Sequence, residues 1–277
     1  MLDVPRSARL AAWGSAVLAG QVDQQRAVRA VGRDDEPHSV EDPDACVVPP
    51  AAAFAGNPLG LADLLDGLRE QGAHALRAVL PAPGDVVGLP GPPAFNALAL
   101  DAGEAVLTAG TVGGPVGPVG APAVSVGAVP VVEEFGSRWE PGALVTWRVQ
   151  RVEPRRVDDL GSLGEADRML RDALREATDE LARLDVARWR EDAAEAIAAI
   201  RDGHLAPDAL PPSAPARSVR VLGTAARLRA IVDLAVLDDG AAVTGYEATR
   251  RAQALRGLDG VARRAIAAAV NGVLEPH

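Results

Sequence analysis

The sequence predicts an α+β protein, with a mostly antiparallel β-sheet over about residues 74–152 packed with flanking N-terminal helices and a C-terminal helical bundle. Three observations support this fold class: apolar residues recur with helical spacing before residue 70, alternate with a period of two up to Val152, and return to helical spacing after Ser162. The connections within the alternating region are too short for helical crossovers, which favours antiparallel strands. We expect two parts, residues 1–160 and 161–277, that share one core.

The first seventy residues contain three predicted helices. Residues 7–20 and 22–31 have helical spacing, and the two helices are expected to stop at Gly20 and Gly32. Residues 59–70 form the third, which carries four leucines on one face: Leu61, Leu64, Leu65 and Leu68.

An acidic loop with several prolines, residues 33–46, separates the second helix from the third. Carboxylates, an imidazole and a thiol within thirteen residues are the groups that bind divalent cations. The candidate ligands are Asp34, Asp35, His38, Asp44 and Cys46. A calcium loop of the EF-hand type needs a glycine that this loop lacks. We therefore favour a solvated loop without a metal, and a partner contact is the alternative.

Strands are predicted in four places between His74 and Val152. They comprise residues 75–80, residues 86–89, a hairpin from Leu98 and Leu100 through residues 101–104 into Val106, and residues 145–149. The last is the clearest, because Val145, Trp147 and Val149 alternate with polar residues after the turn at Pro141 and Gly142. A tract rich in Gly and Pro, residues 110–130, is expected to be a connector.

The C-terminal part is predicted to be entirely helical. Ser162 and Glu165 form a capping box ahead of a long apolar stripe. Further helices are expected at residues 189–200 and 218–237, then a fourth capped by Thr244 and a fifth capped by Asp259 that stops near Asn271.

Composition excludes several kinds of chemistry. All 28 basic residues are arginine, so a phosphate-binding loop with its lysine, a Schiff-base lysine and a kinase lysine are absent. The single cysteine excludes internal disulfides, iron–sulfur clusters and multi-cysteine zinc sites, which fits a reducing cytoplasm. We expect no cofactor. The Arg, Ala and Gly bias is typical of actinobacterial proteins.

Two segments resemble known functional motifs, but the residues around them or their spacing argue against the function. Ser125 lies in a relaxed form of the nucleophile elbow, but the residues after it predict extended chain rather than the required helix. The glycines between residues 113 and 120 lack the spacing of a dinucleotide loop. If a pocket exists, we expect it between sheet and helices at the loop that holds Pro92, Pro93 and Asn96, where an irregular backbone meets an amide side chain.

The charge distribution bears on partners. The net charge of −10 argues against binding to nucleic acid or to an anionic membrane. Residues 217–277 have the opposite net charge to the whole chain, with nine arginines and six acidic residues. We expect those arginines to pair with the acidic helices from residue 165 to residue 195.

The function predicted from these observations is that of a cytoplasmic binding or regulatory protein without catalytic chemistry. Its partner would be a protein or a small molecule, and a homodimer is an open alternative. An enzyme with a pocket between sheet and helices is the second hypothesis. Nucleic-acid binding through the Arg-rich C-terminal helices is the third.

Overall fold

The computed structural model confirms the α+β fold class. It describes residues 1–48, 58–109, 125–137, 140–154, 161–183, 198–237 and 245–274. The helices are α1 Arg6–Leu18, α2 Gln24–Gly32, α3 Leu61–Glu70, α4 Pro93–Ala102, α5 Leu163–Arg183, α6 Ala216–Leu237 and α7 Gly245–Asn271, and a 3-10 turn at Gly272–Leu274 follows α7. The strands are β1 Ser39–Glu41, β2 Leu76–Val79, β3 Ala105–Thr108, β4 Ser125–Ser137 and β5 Glu140–Val152.

The five strands form one sheet in the order β1-β5-β4-β3-β2. Only β1 is parallel to its neighbour, and every other pair is antiparallel. The predicted strands at 75–80 and 145–149 are therefore confirmed. The β4–β5 hairpin pairs over thirteen residues of each strand, from Ser125 opposite Val152 to Ser137 opposite Glu140.

The predicted hairpin from Leu98 to Val106 is wrong, because residues 93–102 form helix α4. Pro93 stands at its first position, where a missing N–H is harmless. Phe95 and Ala99, four residues apart, are its buried positions, so the helical period of burial prevails over the alternation of the leucines. Gly103 ends the helix in the left-handed conformation, with φ of 69°.

Two further predictions are corrected. Residues 86–89 are not a strand, and Val86 and Val87 are exposed in a turn-rich loop. The fourth and fifth helices of the C-terminal part are one continuous helix, α7. Asp259 does not cap a helix, because its carboxylate accepts a hydrogen bond from Arg263, one turn later in the same helix.

The sheet has apolar residues on both faces. One face, with Val126, Ala128, Trp147 and Val149, belongs to the main core, which also includes residues of α1, α3, α5, α6 and α7. The other face is covered by α4, whose Phe95 is fully buried in a second cluster. The main core thus contains residues from both the 1–160 part and the 161–277 part.

Polar side chains reinforce this contact between the two parts. The buried guanidinium of Arg263 in α7 donates to the carbonyl of Leu80 and to Asp85, with 3.1 Å to the carboxylate. The Asn271 amide accepts from the N–H of Ala78 at 2.8 Å and donates to its carbonyl at 3.1 Å. This amide pairs with the outer edge of β2 as a neighbouring strand would.

We expect Arg263→Met to lower the free energy of unfolding by about 3 kcal/mol, since it leaves the buried carbonyl of Leu80 without its donor and removes the buried one of the two arginines that bind Asp85. The matched control is Arg264→Met, because Arg264 binds the same Asp85 at 2.8 Å from a half-exposed position and should cost less than about 1 kcal/mol. Urea denaturation measures both, and equal losses would contradict the importance of the buried contacts.

We further propose that the two parts unfold as one unit. Residues 1–160 expressed alone should aggregate or lack a cooperative thermal transition, because the sheet then loses the cover of α6 and α7. A soluble fragment with a sharp melting curve would show that this part folds independently.

Candidate functional site: a buried ion cluster and a hairpin face

A buried ion cluster lies where α1, the loop after α2 and β5 meet. Arg6 donates two hydrogen bonds to Asp35, at 2.8 and 2.7 Å, in a bidentate pair. The Arg9 guanidinium lies 3.7 Å from the same carboxylate. His38 approaches Asp35 through Nε2 at 3.1 Å, and Trp147 donates from its indole to Nδ1 of His38 at 3.1 Å. We call these five residues the ion cluster.

The contacts of His38 define its tautomer. The indole N–H of Trp147 is a donor only, so Nδ1 must accept and Nε2 must carry the proton that is donated to Asp35. Burial lowers the pKa of His38. A proton added at Nδ1 would also break the bond from Trp147. With both ring nitrogens engaged, His38 holds structure together and is unsuited to act as a general base.

Asp35 is the anion at the centre of the cluster. Burial by itself would raise its pKa, but the hydrogen bonds from Arg6 and His38 outweigh that effect and lower the pKa. Arg9 has the opposite balance: burial, with Arg33 nearby, lowers its pKa. Within the described part of the chain, Nε of Arg9 has no hydrogen-bond partner.

Glu104 adds a second carboxylate at the start of α1. It accepts a hydrogen bond from the backbone N–H of Ser7 at 2.7 Å, so it satisfies one of the free donors of the helix N-terminus. The positive end of the helix dipole favours a carboxylate at this position. Burial raises the pKa of Glu104, and the bond from Ser7 opposes that rise.

The five candidate metal ligands of the acidic loop are only partly brought together. Asp35 and His38 meet in the ion cluster, whereas Asp34 and Asp44 are exposed and take no part in it. Cys46 is buried, and burial raises the pKa of its thiol to about 11, which keeps it protonated and unreactive. In the ranges that the structure describes, no group of three His, Cys, Asp or Glu residues is placed to hold a metal ion.

A residue outside that candidate set organises the end of the loop. The Asp42 carboxylate accepts hydrogen bonds from three successive backbone N–H groups, those of Cys46, Val47 and Val48, at 2.7 to 2.9 Å. An Asp that folds the chain back onto itself in this way is a common loop device. The only sequence signal for this role of Asp42 is that a proline follows it.

In the loop where a pocket was expected, the Asn96 side chain bonds to the loop backbone. Asn96 accepts a hydrogen bond from the backbone N–H of Gly91 at 2.9 Å, so its amide oxygen is already engaged. Pro92 and Pro93 are exposed at the start of α4. Phe95, next to Asn96, occupies the space between α4 and the sheet.

The outer half of the β4–β5 hairpin exposes apolar residues. Cross-strand pairing places Glu133 opposite Leu144 and Phe135 opposite Gly142. The side chains of Glu133, Phe135 and Leu144 therefore share one face of the hairpin with that of Val131 and with the bare backbone of Gly142. Phe135 is 48% exposed and Leu144 is 49% exposed. We call these five residues the hairpin face.

The ring of Phe135 is held against the opposite strand. A Cβ atom added at Gly142 would lie 2.5 Å from the ring, so only glycine permits this close approach. One feature of the sequence indicates this surface. The alternation of Val145, Trp147 and Val149 predicts a polar residue at position 144, where the chain has a leucine.

Ser125 and three of the C-terminal arginines are engaged within the fold. Ser125 is buried at the first position of β4 and continues as a strand, as the context of the motif predicted. Arg217 reaches Asp167 of α5 at 3.2 Å, which confirms the expected pairing with an acidic helix. Arg263 and Arg264 instead pair with Asp85 in the loop after β2. These arginines therefore have intramolecular partners.

Fold and site together define an α+β protein whose buried ions stabilise structure and whose exposed feature is a two-stranded apolar face. Residues 7–160 match the family model described as the N-terminal domain of Rv1486c-like protein, and residues 164–267 match the C-terminal domain. The chain belongs to the Rv1486c-like protein family.

Relatives from two mycobacteria align over almost the whole chain. The uncharacterized protein Rv1486c of Mycobacterium tuberculosis is 33% identical, with 97% of this chain and 96% of the relative covered. The uncharacterized protein ML1804 of Mycobacterium leprae is 28% identical, with 97% of each covered. No solved structure matches the chain. Among the helices in the described ranges, none has the length and apolar character needed to cross a membrane.

We expect the contribution of His38 to the stability of this protein to fall as the pH drops from 7 to 5. The pKa of His38 is lower in the folded state than its ordinary value of about 6.5, so the unfolded chain binds more protons over this range. The lowered pKa of Asp35 acts in the same direction only at more acidic pH.

His38→Gln should flatten this pH dependence, because glutamine keeps a donor toward Asp35 and cannot titrate. His204→Gln, a change at an exposed histidine, is the control and should leave the slope unchanged. Chemical denaturation at pH 7, 6 and 5 gives the slopes. Equal slopes for His38→Gln and the unaltered protein would contradict this role of His38.

Proposed function

We propose that this protein is a binding protein that engages another protein through the hairpin face. The observation that carries the proposal is the exposure of Phe135 and Leu144, each close to one half, on the same face of the hairpin. They are diagonal neighbours across the two strands, close enough for large side chains to form one patch. Exposed apolar patches on a rigid element are typical of protein contacts.

Strand β5, which carries part of this face, is tied to the rest of the fold by hydrogen bonds. The buried Trp147 of β5 lies at the base of the outer half and is tied to the ion cluster through His38. The backbone N–H of Glu36 donates to the carbonyl of Ala143 at 3.0 Å, which fixes the outer side of β5 as well. A preorganised surface loses little conformational entropy when it binds.

Catalysis is less well supported by the same geometry. His38 has no free nitrogen, and the Cys46 thiol is buried with a raised pKa. A two-stranded face also lacks the walls with which small-molecule sites enclose their ligands. We propose the cytoplasm as the compartment of this binding role, in keeping with the single free cysteine.

Photo-crosslinking tests the proposal. Leu144→p-benzoylphenylalanine should give a discrete adduct in the organism that encodes the chain, and Phe135→Ser in the same chain should abolish it without changing the melting temperature. The control position is Val236 of α6, which is 63% exposed and lies away from the hairpin. No adduct at position 144, or an equal one at position 236, would refute the proposed function.

A further inference from the structure

We infer that the partner contributes an extended, basic segment that pairs with the free edge of β4. This inference rests on the proposed function and specifies the partner's chemistry. We call residues 131–137 of β4 the free edge. The segment would add a strand to the sheet, so backbone hydrogen bonds would supply affinity and side chains would supply selectivity.

The pairing of the strands identifies this edge. β4 pairs with β5 along its full length, but it pairs with β3 only at Gly127 and Ala128. From residue 131 onward, no strand in the described ranges lies beside β4 on that side. A strand without a neighbour presents backbone N–H and C=O groups that a second chain can satisfy.

The other sheet margins have partners at several positions. Asn271 occupies the outer side of β2 with its two hydrogen bonds to Ala78. On the opposite margin, β1 pairs with β5 from Thr146 to Arg148. Glu36 bonds to Ala143 next to that pairing. The free edge is also the margin that borders Phe135, so backbone pairing and apolar contact would occur at the same place.

Charge determines what kind of segment fits. Glu133 and Glu134 are exposed on opposite faces of β4, and Glu140 is exposed at the start of β5. Among the described residues, no basic side chain forms an ion pair with any of these three carboxylates. The nearest arginine along β5 with a salt bridge, Arg148, is engaged by Glu41 at 3.3 Å. A partner with Arg or Lys would neutralise this acidic strand.

The order of residues on β4 also specifies a pattern. Residues 131–135 read Val-Val-Glu-Glu-Phe. Directly opposed cross-strand residues stabilise a sheet when apolar meets apolar and opposite charges meet. The complementary segment therefore has two adjacent basic residues flanked by apolar, β-branched residues.

A second copy of this chain fits the free edge poorly. Antiparallel pairing of two β4 strands about a two-fold axis at this point would set Glu133 and Glu134 opposite the same pair of the other copy. Like charges placed directly opposite each other are destabilising, and acidic residues on an edge strand are a common safeguard against self-association. The edge thus discriminates against self-pairing and favours a basic partner.

The test uses the full chain and a fluorescein-labelled peptide, acetyl-Thr-Val-Arg-Arg-Val-Val-Thr-amide. Fluorescence anisotropy should show saturable binding, with a Kd on the order of micromolar in low salt. The same peptide with two Glu in place of the two Arg should bind at least about tenfold more weakly. Equal binding of both peptides would overturn the charge argument.

A matched pair of variants separates a local effect from net charge. Glu133→Gln with Glu134→Gln should weaken binding of the basic peptide about tenfold. Glu70→Gln with Asp101→Asn removes the same two charges at exposed positions elsewhere and should leave the affinity unchanged. Equal loss in both double variants would show attraction to net charge alone and would overturn the site.

Strand addition has its own test. Methylation of the peptide nitrogens that face β4 should weaken binding about fivefold for each hydrogen bond removed. Bound peptide should also slow amide hydrogen exchange within residues 131–137. Unchanged affinity and exchange would overturn strand addition. Dimerisation of the peptide-free chain that Glu133→Lys strengthens would make a second copy the occupant, because the substitution sets opposite charges across the two β4 strands.

The two proposals fail separately. A discrete crosslink at position 144 together with no binding of the basic peptide would leave the protein-binding role in place and refute the basic strand. Peptide binding that depends on Glu133 and Glu134, without any crosslink at position 144, would support the edge and refute the apolar face as the contact.

Discussion

The burial of α1 is the constraint on which most of this structure depends. Every residue from Ser7 to Val17 is buried, so the polar groups of this helix cannot form hydrogen bonds with solvent water. Each neighbouring element supplies a partner instead. Asp35 from the loop after α2 binds Arg6, and Glu104 ahead of β3 accepts from the N–H of Ser7. The backbone of Leu76 in β2 bonds with the hydroxyl of Ser15. The carbonyl of Asp208 accepts from the indole of Trp13.

The same constraint explains why the densest group of ionisable residues is a structural device. A largely buried Asp35 carboxylate with two arginines and a neutral His38 satisfies charges that would otherwise be costly to bury. A catalytic site needs at least one such group left free to react, and His38 has none of its nitrogens free. What remains for function is the surface, where the outer half of the β4–β5 hairpin exposes a face and an edge.

Sequence patterns predicted the elements whose burial follows a single clear period. Helices α3 and α6 and strand β5 are of this kind: the four leucines of α3 are buried, as are Val221, Ala225, Leu228, Val232 and Ala235 of α6. The pattern failed at α4, because its apolar residues fit both a helix and a strand, and packing of Phe95 against the sheet decided between them. It failed again in α7, where a residue suited to cap a helix forms an ion pair inside one.

The sequence by itself determined the fold class, the absence of lysine and disulfide chemistry, and the acidic character of the chain, because these follow from composition and local periodicity. Only the tertiary structure decided which polar residues meet. His38 and Trp147 are more than a hundred residues apart, as are Ala78 and Asn271. Their contacts arise from the order of strands and the placement of helices, which no local pattern encodes. The same holds for the exposure of Phe135 and Leu144, since an apolar residue is left in solvent only where no other element covers it.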